Sequence, residues 1–119
     1  MTKGAGNGGG APKNAVTKGS FTVWTVPEDP EPGQDYVIVI EIKLPEKVQR
    51  YPLKDLSGMV VGTDGWRQAI PGKSQGFARV VDHRTQLEIR VPGAPRLVRD
   101  TIRIRSRILK EQQVLTIVF

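Results

Sequence analysis

From Phe21 to Phe119 the apolar residues of this chain return at every second position, the period of an extended strand, rather than every 3.6 residues. The clearest run is "DYVIVIEIKL", where Tyr36, Ile38, Ile40, Ile42 and Leu44 share one face and Val37, Val39, Glu41 and Lys43 the other. The first face belongs in a core. The second is apolar where it starts and charged where it ends, as on a sheet covered at one end only. "FTVWTV" alternates until Pro27 and Pro30 end it, and "DTIRIRSRILK" sets Ile102, Ile104 and Ile108 against Arg103, Arg105 and Arg107. No segment keeps helical spacing over about 11 residues. A short helical turn at "YPLKDL" is the only exception expected.

Turn chemistry divides these runs into hairpins. In "GMVVGTDGWRQAI" the Asp64-Gly65 pair predicts a two-residue type I′ turn, because both residues tolerate positive φ. "GFARVVDHRTQLEIRV" predicts a second hairpin around Asp82 to Thr85, with Leu87, Ile89 and Val91 inward. "TIRIRSRILKEQQVLTIVF" predicts a third, turning near Lys110 to Gln113. The intervals "PEDPEPG", "LPEKVQRYP", "IPGKSQG" and "VPGAPR" read as loops. Seven or eight short strands with such spacing predict a single antiparallel β-sandwich over residues 21–119. Its expected core is Phe21 or Trp24 with Tyr36, Ile38, Ile40, Ile42, Leu87, Ile89, Ile102, Ile104, Leu115 and Ile117.

Residues 1–20 differ in kind. They hold six glycines, one branched aliphatic residue and no aromatic ring, too little apolar surface to offset the entropy of ordering. They read as a flexible linker, and the chain as a module within something longer. The sandwich portion, with a Pro/Gly loop feeding a long alternating strand in "PEDPEPGQDYVIVIEIKLP", resembles immunoglobulin-like and fibronectin type III-like modules of surface and envelope proteins. The Cys…Trp…Cys pattern of antibody domains is absent, since the chain has no cysteine. The resemblance implies an immunoglobulin-like sandwich acting as a non-catalytic spacer or recognition module, outside the cell or in its envelope.

Charge sharpens this picture. The net charge is +6, but residues 1–20 carry three lysines and no acid, residues 21–62 four bases against seven acids, and residues 63–119 eleven bases against five acids. Basic character belongs to the second half, and it favours encounter with polyanions without naming one. Without cysteine there is neither a disulfide framework nor a thiolate metal site. No apolar run is long enough to span a bilayer, so membrane insertion is not expected.

The candidate chemistry is sparse. Arg103, Arg105 and Arg107 would line one strand face about 6.8 Å apart, and Arg90 would extend the line if its strand were adjacent. Guanidinium groups in such a row suit phosphate, sulfate and carboxylate, although a wet sheet face carrying charge is the ordinary reading. Trp66 after the turn, joined by Tyr51, is a candidate platform for a sugar or a partner. Glu28, Asp29, Glu31 and Asp35 could approach calcium, but prolines splay such carboxylates apart, and a solvated acidic loop is the expectation. His83 is the single histidine, and no serine sits in a nucleophile-elbow setting. These patterns predict no catalytic, metal or cofactor site. The expected role is a structural or protein-interaction module, monomeric in isolation, with a protein or neighbouring domains of the same chain as partner. The alternative is polyanion binding, of nucleic acid or acidic glycan, through the arginine-lined face.

Overall fold

The computed structural model describes residues 12, 14–70 and 76–119. Among them run ten antiparallel strands: β1 (Val16–Lys18), β2 (Phe21–Val26), β3 (Tyr36–Lys43), β4 (Arg50–Pro52), β5 (Leu56–Val61), β6 (Arg67–Ile70), β7 (Phe77–Arg79), β8 (Arg84–Val91), β9 (Arg99–Ser106) and β10 (Glu111–Val118). Two sheets of four strands, in the orders β1-β2-β3-β8 and β10-β9-β5-β6, make an all-β sandwich. β4 and β7 pair in a separate ribbon. Because β4 leads through a 3-10 turn (Leu53–Asp55) into β5, and β7 leads into β8, this ribbon bridges one flank of the sandwich. On the other flank β1 approaches β10.

Alternation explains which residues meet. Phe21, Val23, Tyr36, Ile38, Ile40, Ile42, Ile89 and Val91 of the first sheet pack against Leu56, Val60, Ile70, Ile102, Ile104, Leu115 and Ile117 of the second. Each such side chain stabilises the fold by about 1.5–3 kcal/mol when fully buried. Phe21 is a core residue, whereas Trp24, only 8% exposed, is buried on the outer face of its sheet beside Val39. Leu87 lies at the core margin. Strands β1, β4 and β7, of three residues each, raise the number above the seven or eight expected, because three residues are too few for a period to register.

The turns depart from expectation in instructive ways. The β5–β6 connection is a three-residue loop, Thr63–Gly65, closed by the Gly62 N–H donating to the Trp66 carbonyl at 2.7 Å. Asp64 and Gly65 do take positive φ, 60° and 82°. Thr63 is the extra residue, fixed by its hydroxyl accepting from the Val98 N–H at 2.9 Å. The tight two-residue turn is instead Asp82-His83, with φ of 53° and 63°, closed by Val81 and Arg84 exchanging both backbone bonds. The β9–β10 turn is Arg107–Lys110, about three residues earlier than predicted, so Ile108 lies in an exposed turn and not in the phase of Ile102 and Ile104.

The body also begins before residue 21. Residues 1–11 and 13 of the expected linker lie outside the described residues, but Val16–Lys18 forms β1 on the edge of β2, and Val16 tucks against the core. Gly19, at φ 57°, makes the turn, and a Cβ there would collide with the Glu111 carboxylate. That carboxylate accepts the Ser20 N–H and hydroxyl, both at 2.8 Å, and so joins the two sheets at one edge. Burial of Glu111 would push its pKa up, but the bonds from Ser20 and Gln113 outweigh this and hold it below the ordinary value.

Two buried aspartates sit at opposite ends of the sandwich, each accepting a tyrosine hydroxyl. Asp55 takes Tyr51 Oη and Ser106 Oγ at 2.6 Å each, and the Ile108 N–H at 2.9 Å, which anchors the β9–β10 turn. Burial pushes its pKa up, yet these donors prevail and hold it below 3.8. Asp100, fully buried, has one partner, Tyr36 Oη at 2.5 Å, and its Oδ1 has none. Desolvation therefore prevails over the Tyr36 bond and raises its pKa above 3.8. The linked stability effects have opposite sign. Asp55 contributes stability above its unfolded pKa that is lost as pH falls through the folded value. Asp100 contributes stability below its unfolded pKa that is lost as pH rises through the folded value. Urea unfolding at several pH values should show Asp55→Ala costing about 3 kcal/mol or more at neutral pH, with the deficit shrinking in acid. Asp100→Asn should gain on the wild type as pH climbs above 3.8. Slopes of the same sign for the two variants would refute this assignment.

Candidate anion-binding face

The outer face of the β10-β9-β5-β6 sheet follows from register. β9 lies between β10 and β5, so turning Ile102 and Ile104 inward turns Arg103 and Arg105 outward. Arg103 stands between Val114 of β10 and Met59 of β5, and Arg105 between Gln112 and Ser57. Facing side chains on neighbouring strands root about 4.5–5.5 Å apart, so the apolar stem of Arg103 runs between Met59 and Val114. Gly58 makes this closeness possible, since a Cβ there would strike the Arg103 carbonyl.

Two further arginines share the face. Arg99 opens β9 opposite Val118, and Arg67 of β6 pairs with Val61, itself beside Thr101. All four arginines are exposed. Every Asp and Glu of the chain is among the described residues, and none forms an ion pair with these four. Ion pairs do form elsewhere: Arg84 with Glu41 at 3.7 Å and Arg96 with Asp64 at 3.0 Å.

At the end of β9, Arg105, Arg107 and Lys110 line a shallow cleft with Ser106, Glu111 and Gln112. Lys110 reaches it from a left-handed backbone at φ 53°. Glu111 is the carboxylate of this cleft, and it is already occupied by Ser20 and Gln113.

The structure thus brings together three of the four arginines singled out in the sequence. Arg103 and Arg105 are neighbours on one strand face, and Arg107 stands just past it in the turn. Arg90 does not join them. β8 pairs with β3, so Arg90 emerges on the outer face of the opposite sheet, opposite Val37 and in the company of Glu88 and Glu41. Sequence reasoning missed Arg99, Arg67 and Lys110, although Arg99 lies in the phase of Arg103 and Arg105 and was open to the same argument.

The aromatic platform is not assembled. Tyr51 is fully buried, its hydroxyl held by Asp55 near the Ser106 end of β9. Trp66 packs on the core margin at the far end, beside Gly62. The length of β5 separates them, about 17 Å at 3.4 Å per residue. Phe77 is an exposed ring, with Arg50 stacked 4.4 Å above its centroid. Of the acidic loop, Glu28, Asp29 and Glu31 are exposed, while Asp35 accepts the Gly93 N–H at 2.7 Å. His83 is exposed in its turn. No group of three His, Cys, Asp or Glu among the described residues is placed to hold a metal ion, and no helix among them is long and apolar enough to cross a membrane.

Since no carboxylate balances them, Arg103 and Arg105 contribute little to the fold. Replacing both by alanine should leave stability within about 1 kcal/mol, measured by thermal unfolding. A larger loss would mean that their stems are structural. No family model, curated protein or solved structure matches the chain.

Proposed function

We propose that this chain is a non-catalytic recognition module whose working surface is the outer face of the β10-β9-β5-β6 sheet. The observation that carries this reading is the contrast between the two outer faces. One mixes Glu41, Glu88, Arg84 and Arg90, whereas the other presents Arg67, Arg99, Arg103 and Arg105 with no acid among its strand residues. A face kept wet only for solubility has no need to segregate charge in this way, because interspersed signs serve solubility equally well.

Guanidinium groups with unfilled donors suit a partner that presents oxyanions, whether carboxylate, sulfate or phosphate. The sheet supplies a rigid base, so binding orders the arginine side chains and no backbone segment. The resemblance to immunoglobulin-like and fibronectin type III-like modules supports the same reading. Leaving aside the three short strands, seven remain, three in one sheet (β2-β3-β8) and four in the other (β10-β9-β5-β6). The chain crosses between the sheets from β3 to β5, from β6 to β8 and from β8 to β9, as a Greek-key sandwich does. In this setting the module serves a larger surface or envelope protein as a point of attachment.

Titrating the isotope-labelled chain with sulfate and with poly-glutamate, and following backbone amide resonances, tests the proposal. Shifts should concentrate in residues 99–112 and at Ser57 to Met59. Shifts confined to β3 and β8, or none at all, would overturn it.

A further inference from the structure

On the premise that the arginine face recognises anions, we infer that its ligand is a linear acidic glycan, a sulfated polysaccharide in chemistry, lying along β9 from Arg99 to the Arg107–Lys110 turn. The cations form a track and not a cluster. Arg103 and Arg105 recur about 6.8 Å apart and Arg99 stands two such steps before Arg103, so the strand portion runs about 20 Å. The cleft of Arg105, Arg107 and Lys110, three cations against the one carboxylate of Glu111, continues it at the end of the sheet. Such a line fits an extended chain bearing charge at intervals better than it fits one compact anion.

The neutral residues beside the track narrow the class. Ser57, Thr101, Gln112 and Thr116 share the face with the arginines and offer hydroxyl and amide groups. These pair with sugar hydroxyls between the charged groups. Single-stranded nucleic acid is bound instead by basic grooves interleaved with aromatic rings on which bases stack. The strand residues of this face include no aromatic ring: the apolar ones are Met59, Val61, Ala69, Val114 and Val118. An acidic peptide is the remaining class of polyanion, and poly-glutamate represents it in the test.

The experiment compares a heparin-derived oligosaccharide, an oligothymidylate of equal charge and poly-glutamate, each titrated at two salt concentrations. The oligosaccharide should bind at least tenfold more tightly than the other two. Its log affinity should fall linearly with log salt, and in the Arg103→Ala, Arg105→Ala double variant the slope should be shallower by roughly 1 to 2, as two ion pairs require. Arg90→Ala, on the opposite sheet, should change affinity less than twofold, and thermal unfolding checks that each variant is folded. Tighter binding of oligothymidylate or poly-glutamate would overturn the glycan assignment while leaving the anion-binding face intact. An unchanged affinity in the double variant, an equal loss in Arg90→Ala, or no binding of the oligosaccharide would overturn the assignment as well. If sulfate and poly-glutamate also leave residues 99–112 unshifted, the recognition reading falls with it.

Discussion

Strand β9 has neighbours on both sides and a core beneath it, and this placement fixes more of the molecule than any other feature. A central strand has no freedom to slip. Moving its register by one residue would bring Arg103 and Arg105 into the space that Ile102 and Ile104 fill, at a desolvation cost far beyond the stability of a domain this size. The hydrophobic packing that builds the sandwich therefore also aims the arginines. Their outward direction follows from the burial of the isoleucines.

The acids of the second half complement that arrangement. Of its five carboxylates, Asp100 is buried, Glu111 is held by Ser20 in the lining of the basic cleft, and Asp64 is engaged by Arg96. Asp82 lies in the tight turn, and Glu88 projects from the other sheet. A formal count over residues 63–119 thus understates how positive the exposed β9 face is, because none of these acids stands among the outward strand residues of that face. Asp55 shows the same economy in the first half, where its carboxylate organises the turn that carries Arg107 and Lys110. The two Tyr–Asp pairs differ in burial and in the number of donors that reach the carboxylate, and together these reverse the direction of the pKa shift.

Much of the sandwich was legible in the sequence, since a period of two survives in any strand long enough to show it. "DYVIVIEIKL" and "DTIRIRS" yielded their inward residues directly. Sheet membership was not legible. Nothing within "RTQLEIRV" says whether it pairs with β3 or with β9, and Arg90 was misplaced for that reason. The β9–β10 turn was placed late because Ile108 continues the alternation for one step after the strand has ended. One signal was available and unused: Asp100 falls in the phase of Ile102 and Ile104, and Glu111 in that of Leu115 and Ile117. A charged residue in an apolar phase marks a buried tie. Its partner, however, lies 64 residues away for Asp100 and 91 for Glu111, beyond the reach of local pattern.

The position of Phe119 has a practical consequence. Its ring meets that of Tyr36 edge-on at 5.6 Å, and its N–H donates to the Val98 carbonyl at 3.0 Å, at the end of the sandwich where Asp100 is buried. The basic turn lies at the other end, about 27 Å away along β10 at 3.4 Å per residue. A molecule immobilised through its last residue would stand on its acidic-loop end, with Arg107 and Lys110 directed into solution.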